Sequence, residues 1–131
     1  MIVDSSVWVA IVLGETDADR YIDAIAGVQD VIRLSSVTRV EAGIVVEARQ
    51  GPDGARDLEL ALTRCEAVIE PVTADQVGLA GAAWRRFSKG RHAAGLSLGD
   101  CFAYALAEAL GEPLLFKGDD FTQTDVRAAV T

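Results

Sequence analysis

Short apolar runs alternate along this chain with longer amphipathic stretches, and this alternation limits the folds that the sequence can adopt. The short runs are predicted to be strands: Met1–Asp4, Val31–Leu34, Ala67–Ile69 and Leu114–Phe116. The longer stretches are predicted to be helices: Ser6–Leu13, Asp17–Ala26, Val37–Arg49, Ala55–Cys65, Ala74–Ser88 and Leu98–Leu110. The glycines and proline of residues 51–54 predict a turn. Strands that alternate with helices predict an α/β fold, a three-layer α/β/α sandwich around a central, mainly parallel sheet.

Length and charge restrict the class of protein. The 131 residues are predicted to form one domain, residues 1–131, and half of them are hydrophobic, which is enough for a substantial core. The net charge of −8 disfavours a protein that holds nucleic acid by overall positive charge. The start of the chain does not resemble a signal peptide, and Cys65 and Cys101 have no paired spacing. These features predict a cytoplasmic protein with reduced thiols and no membrane span.

A local group of basic residues lies in the second half of the chain. Arg85, Arg86, Lys89 and Arg91 hold 4 of the 12 basic side chains, and His92 follows them. A solvated helix end accounts for such a cluster without any function. Contact with the phosphates of a nucleic acid is the functional alternative, and the sequence leaves both open.

Several carboxylates occupy positions where a charge is costly. Asp4 directly follows an apolar run, and Asp119 and Asp120 follow the last predicted strand. Glu41 lies at helical spacing from apolar residues at positions 37, 40, 44, 45 and 48. A glutamate in such a stripe must be paired, protonated or bound to a cation. A capping box between Thr38 and Glu41 is the structural alternative.

Asp100 lies near the start of a helix that contains only one other charge, Glu108. A helix with so few charges is predicted to be buried on most sides. A capping box with Ser97 is again the structural alternative for Asp100.

Taken together, these acids predict a metal site. Strand exits and helix starts converge on one edge of a parallel sheet, where ligands bind in open α/β folds. Carboxylates about 5 Å apart would repel by roughly 3 kcal/mol per pair at an effective dielectric near 20, and a divalent cation offsets this repulsion. Because the candidate ligands are all oxygens, Mg²⁺ or Mn²⁺ is the predicted ion, with Asp4 among its ligands.

The same residues carry a resemblance to a known family. The segments are I-V-D-S-S at the start, S-S-V-T-R-V-E ending at Glu41, L-S-L-G-D-C-F-A-Y-A-L around Asp100, and P-L-L-F-K-G-D-D-F near the end. They make the chain resemble a PIN domain over its whole length, and more closely a VapC-type toxin ribonuclease.

The resemblance implies an endoribonuclease that uses Mg²⁺ or Mn²⁺ and is neutralised by a cognate antitoxin. Asp4 and Asp100 match the family's principal metal ligands, Glu41 its third acid, and Ser6 the small polar residue that supports the first aspartate. The fourth acid of many PIN domains lies two residues after a threonine, but that register gives Phe116 and Gly118 here. Asp119 or Asp120 must therefore take this role, and Asp120 is preferred.

The expected partners are RNA, a cognate antitoxin and a second copy of the chain, which would form a homodimer through apolar helix faces. The antitoxin is expected to insert an Arg or Lys near the acids and to lie in a groove between the helices Ser6–Leu13 and Val37–Arg49. A non-cleaving PIN-fold module that binds RNA or protein is the main alternative. A phosphoacceptor domain is disfavoured. A receiver would require an acidic pair after the first strand and a phosphoacceptor aspartate after a middle strand, and the D-x-D motif of a haloacid-dehalogenase-like phosphatase would require an acid where Ser6 stands.

Overall fold

The computed structural model describes residues 1–130 and contains a four-stranded sheet with helices on both faces. Its strands are β1 (Ile2–Val3), β2 (Arg33–Ser35), β3 (Val68–Glu70) and β4 (Leu114–Leu115). Its helices are α1 (Ser5–Leu13), α2 (Ala18–Ala26), α3 (Ser36–Gln50), α4 (Pro52–Arg64), α5 (Ala74–Phe87) and α6 (Leu98–Leu110). The strand order is β3-β2-β1-β4 and every pairing in the sheet is parallel, as the alternating pattern predicts.

Neighbouring residues of the central strands point to opposite faces of the sheet, and this alternation creates two cores. Val3 of β1 and Leu115 of β4 pack into a core that helices α1 to α4 cover, together with Trp8 and Val46. Ile2 and Leu114, their neighbours in sequence, pack into a second core under α5 and α6. The predicted three-layer sandwich is therefore confirmed. No helix within residues 1–130 is long and apolar enough to cross a membrane.

The connection between α3 and α4 is shorter than the predicted turn. Gly51 alone separates the two helices, with a φ of 63° that favours glycine, and Pro52 begins α4 at a position where its missing N–H costs nothing. Gly54 is already helical, and it lets α4 approach α3 closely. A Cβ at Gly54 would lie 2.9 Å from the carbonyl carbon of Val46.

The prediction that Glu41 lies within a buried apolar stripe is wrong. Val40 and Ile44 are 60% and 64% exposed, whereas the buried residues of α3 are Thr38, Ala42 and Val46. The buried face of α3 is thus formed by small side chains, and Gly54 of α4 lies against the backbone of one of them, Val46. The capping box between Thr38 and Glu41 is also absent from α3, because Ser35 is the N-cap and accepts a hydrogen bond from the Val37 amide.

Candidate active site

Four of the predicted acids line one cavity of about 930 Å³ at the carboxyl edge of the sheet. Asp4 and Asp120 come from the segments that follow the adjacent strands β1 and β4, Glu41 from α3 and Asp100 from the first turn of α6. Asp119 instead lines a neighbouring cavity of about 460 Å³. The structure therefore places Asp120, and not Asp119, in the same cavity as the other three acids.

Asp4 is held by a chain of hydrogen bonds that joins the ends of β1 and β4. It is the N-cap of α1, and its Oδ2 accepts hydrogen bonds from the amide of Ser6 at 3.1 Å and from the Ser6 hydroxyl at 2.6 Å. The same hydroxyl accepts a hydrogen bond from the backbone amide of Lys117 at 3.0 Å. Ser6 thus fixes the orientation of the Asp4 carboxylate, which is the contact that the supporting role implied by the family resemblance requires.

The second oxygen of Asp4 is unsatisfied. Asp4 is only 3% exposed, and its Oδ1 has no hydrogen-bond partner among residues 1–130. Burial raises the pKa of Asp4 to about 6; the charges of Asp100 and Glu41 also raise it, against the hydrogen bonds from Ser6. A buried carboxylate oxygen without a donor is costly, and a cation would satisfy it.

Asp100 has a structural role as well as a place in the cavity. Its Oδ2 accepts a hydrogen bond from the Ser97 amide at 2.9 Å, and its own amide donates to the Ser97 hydroxyl at 3.3 Å, so the predicted capping box is formed. Burial raises the pKa of Asp100, and the nearby charges of Asp120 and Glu41 raise it further. Asp100 is therefore both a capping residue of α6 and one of the carboxylates that line the cavity.

Glu41 is held by two residues that the sequence analysis did not identify. The hydroxyl of Ser5 donates a hydrogen bond to Oε1 of Glu41 at 2.5 Å. Gly99 leaves the space that the carboxylate fills, since a Cβ there would lie 2.5 Å from Cδ of Glu41. A glycine in the first turn of a helix is unfavourable for the helix itself, and this was the one available sequence signal for Gly99.

The donor set suits a hydrated divalent cation. Within residues 1–130, no three acidic, histidine or cysteine side chains are close enough to enclose one ion. Mg²⁺ usually binds proteins through one or two carboxylates and keeps several water ligands. The oxygen-only acids around the cavity and the unpaired oxygen of Asp4 fit an ion of this kind.

Basic residues also reach the rim of the cavity. Of the predicted basic group, only Lys89 lines it. Arg86 instead forms an ion pair with Asp125 at 3.3 Å, and the guanidinium of Arg91 lies over the ring of Trp84. Lys117, which the sequence analysis did not identify, lines the cavity too, and its Nζ lies 2.8 Å from Asp17 and 3.4 Å from Glu15.

Replacement of Asp4 by asparagine is expected to stabilise the metal-free protein at neutral pH by about 1–3 kcal/mol. The folded protein holds the Asp4 proton more tightly than the unfolded chain does. The destabilisation that the buried Asp4 charge causes in the wild type is therefore complete above about pH 6 and disappears below the unfolded pKa of 3.8. Asparagine also caps helices well, so the start of α1 is preserved. Urea unfolding in EDTA across this pH range measures the effect, and a large loss of stability in the variant would contradict it.

Comparison with known proteins gives consistent results. A family model described as PIN domain matches residues 1–127. The chain is 47% identical over 129 residues to a ribonuclease VapC of Mycolicibacterium smegmatis, covering 98% of each chain. It is also 47% identical to ribonuclease VapC30 of Mycobacterium tuberculosis over 127 residues, which cover 96% of this chain and 95% of that protein.

Two solved structures share the fold at low identity. The crystal structure of Mycobacterium tuberculosis VapC20, described as a toxin that cleaves the sarcin–ricin loop, aligns with a TM-score of 0.78 at 21% identity and covers 95% of both chains. A chain in the crystal structure of VapBC2 from Rickettsia felis, bound to a DNA fragment from its promoter, aligns with the same TM-score at 15% identity. It covers 97% of this chain and 94% of its own.

Proposed function

The chain belongs to the PIN-domain family, and from this premise we propose that it is a metal-dependent endoribonuclease, the toxin of a toxin–antitoxin pair. The observation that carries the proposal is the cavity at the carboxyl edge of the sheet. It brings Asp4, Glu41, Asp100 and Asp120 together, and Asp4 keeps one carboxylate oxygen without a partner among residues 1–130. Relatives of nearly equal length that are named ribonuclease VapC support the same activity.

The proposed reaction is hydrolysis of an RNA phosphodiester bond, in which water attacks phosphorus in line and the 3′ oxygen leaves. Asp4, Asp100 and Glu41 would hold a hydrated Mg²⁺ or Mn²⁺, in part through its water ligands. When bound, the ion supplies Lewis acidity to the phosphate and lowers the pKa of a bound water. Ser6 fixes Asp4 through its two hydrogen bonds, and Ser97 fixes Asp100. Asp120 is proposed to orient the attacking water.

The basic residues are proposed to bind the flanking phosphates. Lys89 carries most of this role because it lines the cavity beside the acids. Lys89 is flanked in sequence by Arg85, Arg86 and Arg91, which would contact phosphates farther along the RNA. Since the whole chain has a charge of −8, RNA must approach through this local positive region and not through long-range attraction. We also propose that the chain acts in the cytoplasm, where a cellular RNA substrate is available.

Sequencing the 5′ ends of RNA fragments after induction tests the activity. Cells that express the wild-type chain are expected to accumulate new 5′ ends at defined positions, and cells that express the Asp4→Asn variant are not. Equal patterns in the two strains would contradict cleavage by this site. They would favour the alternative, a non-cleaving PIN-fold module that binds RNA or protein.

An antitoxin is the proposed protein partner, and its binding site continues from the acidic cavity. Val9 and Leu13 of α1 and Val45 of α3 line the same cavity as the carboxylates, between the two helices that the sequence predicts as groove walls. An amphipathic segment could lay its apolar side chains there and reach the acids with an Arg or Lys. One chain of a toxin–antitoxin complex from Klebsiella pneumoniae aligns with a TM-score of 0.71 at 16% identity, covers 95% of this chain and 92% of its own, and supports such a partner.

One basic residue of the antitoxin is expected to carry much of the inhibition, because a guanidinium can pair two carboxylates at once. Replacing each antitoxin Arg and Lys by Ala should therefore identify one variant whose inhibition constant rises at least about tenfold. Apolar replacements elsewhere in the bound segment serve as the comparison. If only these weaken inhibition, the blockade is steric and the proposed charge pairing is wrong.

We also propose a homodimer that forms through apolar helix faces. Val77 and Trp84 of α5 and Leu98 of α6 are exposed apolar side chains on the same layer of the sandwich. Burial of such side chains would favour association. Light scattering of the purified chain measures the oligomeric state directly.

A further inference from the structure

We propose that Ser5 is a positioning residue that fixes the Glu41 carboxylate for metal binding, with Gly99 providing the space for it. The inference deepens the proposed function, since Glu41 is a proposed ligand only if the site binds a divalent cation. It concerns a hydroxyl that the proposed ligand set does not include. Ser5 would act through Glu41 and would not contact the ion or the RNA.

The argument begins with the position of Ser5 in the fold. It is the first residue of α1 and directly follows Asp4, so the short segment that places one proposed ligand also places Ser5. Its hydroxyl donates to Oε1 of Glu41 at 2.5 Å, across 36 residues of sequence. A hydrogen bond to a charged acceptor is about twice as strong as one between neutral groups, so it restricts the carboxylate effectively.

Gly99 supplies the other half of the arrangement. An ideal Cβ at this position would lie 2.7 Å from Oε1 and 2.5 Å from Cδ of Glu41, which is closer than atoms can pack. Gly99 has an ordinary helical backbone and directly precedes Asp100. The Glu41 carboxylate is therefore confined between the first turns of the two helices that carry Asp4 and Asp100.

This confinement offsets an electrostatic cost. Asp4, Glu41 and Asp100 line the same cavity, so their like charges repel, and this repulsion favours orientations of the flexible Glu41 side chain that lie farther from the other two acids. The hydrogen bond from Ser5 keeps the Glu41 carboxylate in the cavity that Asp4 and Asp100 also line, before any cation arrives. Preorganisation of this kind improves affinity by removing the cost of ordering the ligand on binding.

The test measures Mn²⁺ binding by titration calorimetry and, separately, RNA cleavage. Ser5→Ala is expected to weaken Mn²⁺ binding about tenfold, the size of effect seen when residues that orient metal ligands are lost. In the cleavage assay, kcat should fall at saturating RNA with KM for RNA unchanged, because Ser5 does not touch the substrate. Ser5→Thr keeps the hydroxyl and should restore Mn²⁺ affinity.

Ser36→Ala is the matched control. Ser36 is the first residue of α3, is half-buried like Ser5, and donates its hydroxyl to the carbonyl oxygen of Glu70 at 2.6 Å. It does not line the cavity. Each substitution removes one hydroxyl donor from the first residue of a helix, but the Ser36 hydroxyl donates to a backbone carbonyl outside the cavity, so Ser36→Ala should leave Mn²⁺ affinity unchanged.

Two further variants test whether Ser5 acts through Glu41. In a Glu41→Ala background, Ser5→Ala should cause no additional loss of Mn²⁺ affinity, because the acceptor is gone. Gly99→Ala should weaken Mn²⁺ binding with Ser5 intact, although alanine favours the helix itself.

The inference is overturned if Ser5→Ala binds Mn²⁺ like the wild type, if its effect persists in the Glu41→Ala background, or if the wild type binds no Mn²⁺. Failure of the proposed function is recognised by a separate result. The wild type would then cleave no RNA, even if the Mn²⁺ affinities of the variants follow the expected order.

Discussion

Asp4→Asn and Asp100→Asn are each expected to lower metal-dependent RNA cleavage by at least about a hundredfold. Each substitution removes a negative ligand oxygen and leaves the shape of the side chain almost unchanged. Asparagine can still cap α1 at position 4, and it can still accept the hydrogen bond from the Ser97 amide at position 100. A loss of activity would therefore report on charge and ligation and not on the fold.

The experiment compares initial rates of purified variants on one RNA at several Mg²⁺ and Mn²⁺ concentrations. Glu41→Gln should lose most of the activity. Asp119→Asn is the matched control for Asp120→Asn, because the two adjacent aspartates line different cavities. Asp120→Asn should reduce the rate and Asp119→Asn should not. Wild-type cleavage by a purified Asp100→Asn variant would refute the proposed site.

Trp8→Ala is expected to lower the free energy of unfolding by about 3–5 kcal/mol, the usual cost of truncating a large buried aromatic side chain. Trp8 of α1 is fully buried and packs in the core that lies between the sheet and helices α1 to α4. Its Nε1 has no hydrogen-bond partner among residues 1–130, so its contribution comes from apolar burial. Urea unfolding followed by circular dichroism measures the change.

Trp84→Ala is the matched control, the same chemical change at a side chain that is 44% exposed. Trp84→Ala should lower the free energy of unfolding by less than about 1 kcal/mol, a loss that includes the cation–π contact with Arg91. Similar losses for the two variants would contradict the assignment of Trp8 to the core. Because Trp8 lies one helical turn after Asp4, its loss should also weaken Mn²⁺ binding, and Trp84→Ala should leave Mn²⁺ binding intact.

The sequence predicted the architecture because strand and helix periods differ and are visible without knowledge of contacts. It also predicted the convergence of Asp4, Glu41 and Asp100, since strand exits and helix starts share one edge of a parallel sheet. The apolar stripe on α3 gave a wrong prediction of burial around Glu41, because an apolar side chain such as Ile44 can remain exposed in a folded protein. The stripe was thus a wrong reason for selecting Glu41, which the S-S-V-T-R-V-E segment of the family resemblance selects independently.

The roles of Ser5, Gly99 and Lys117 were not predictable in the same way. Ser5 and Glu41 are distant in sequence, and nothing in either segment records that a hydroxyl of one meets a carboxylate of the other. Lys117 acts partly through its backbone amide, which every residue except proline possesses. Such contacts depend on the relative placement of packed elements, and that placement is a property of the three-dimensional fold.

The strand order β3-β2-β1-β4 has a consequence for the synthesis of the protein on the ribosome. β1 is made first, but one of its two neighbours is β4, and the amide that anchors Ser6 and the carboxylate of Asp120 both follow β4. A nascent chain that has not yet exposed β4 lacks this side of the cavity, however well its earlier helices have folded. The order of the strands therefore delays the ribonuclease activity until β4 has been translated and has joined the sheet.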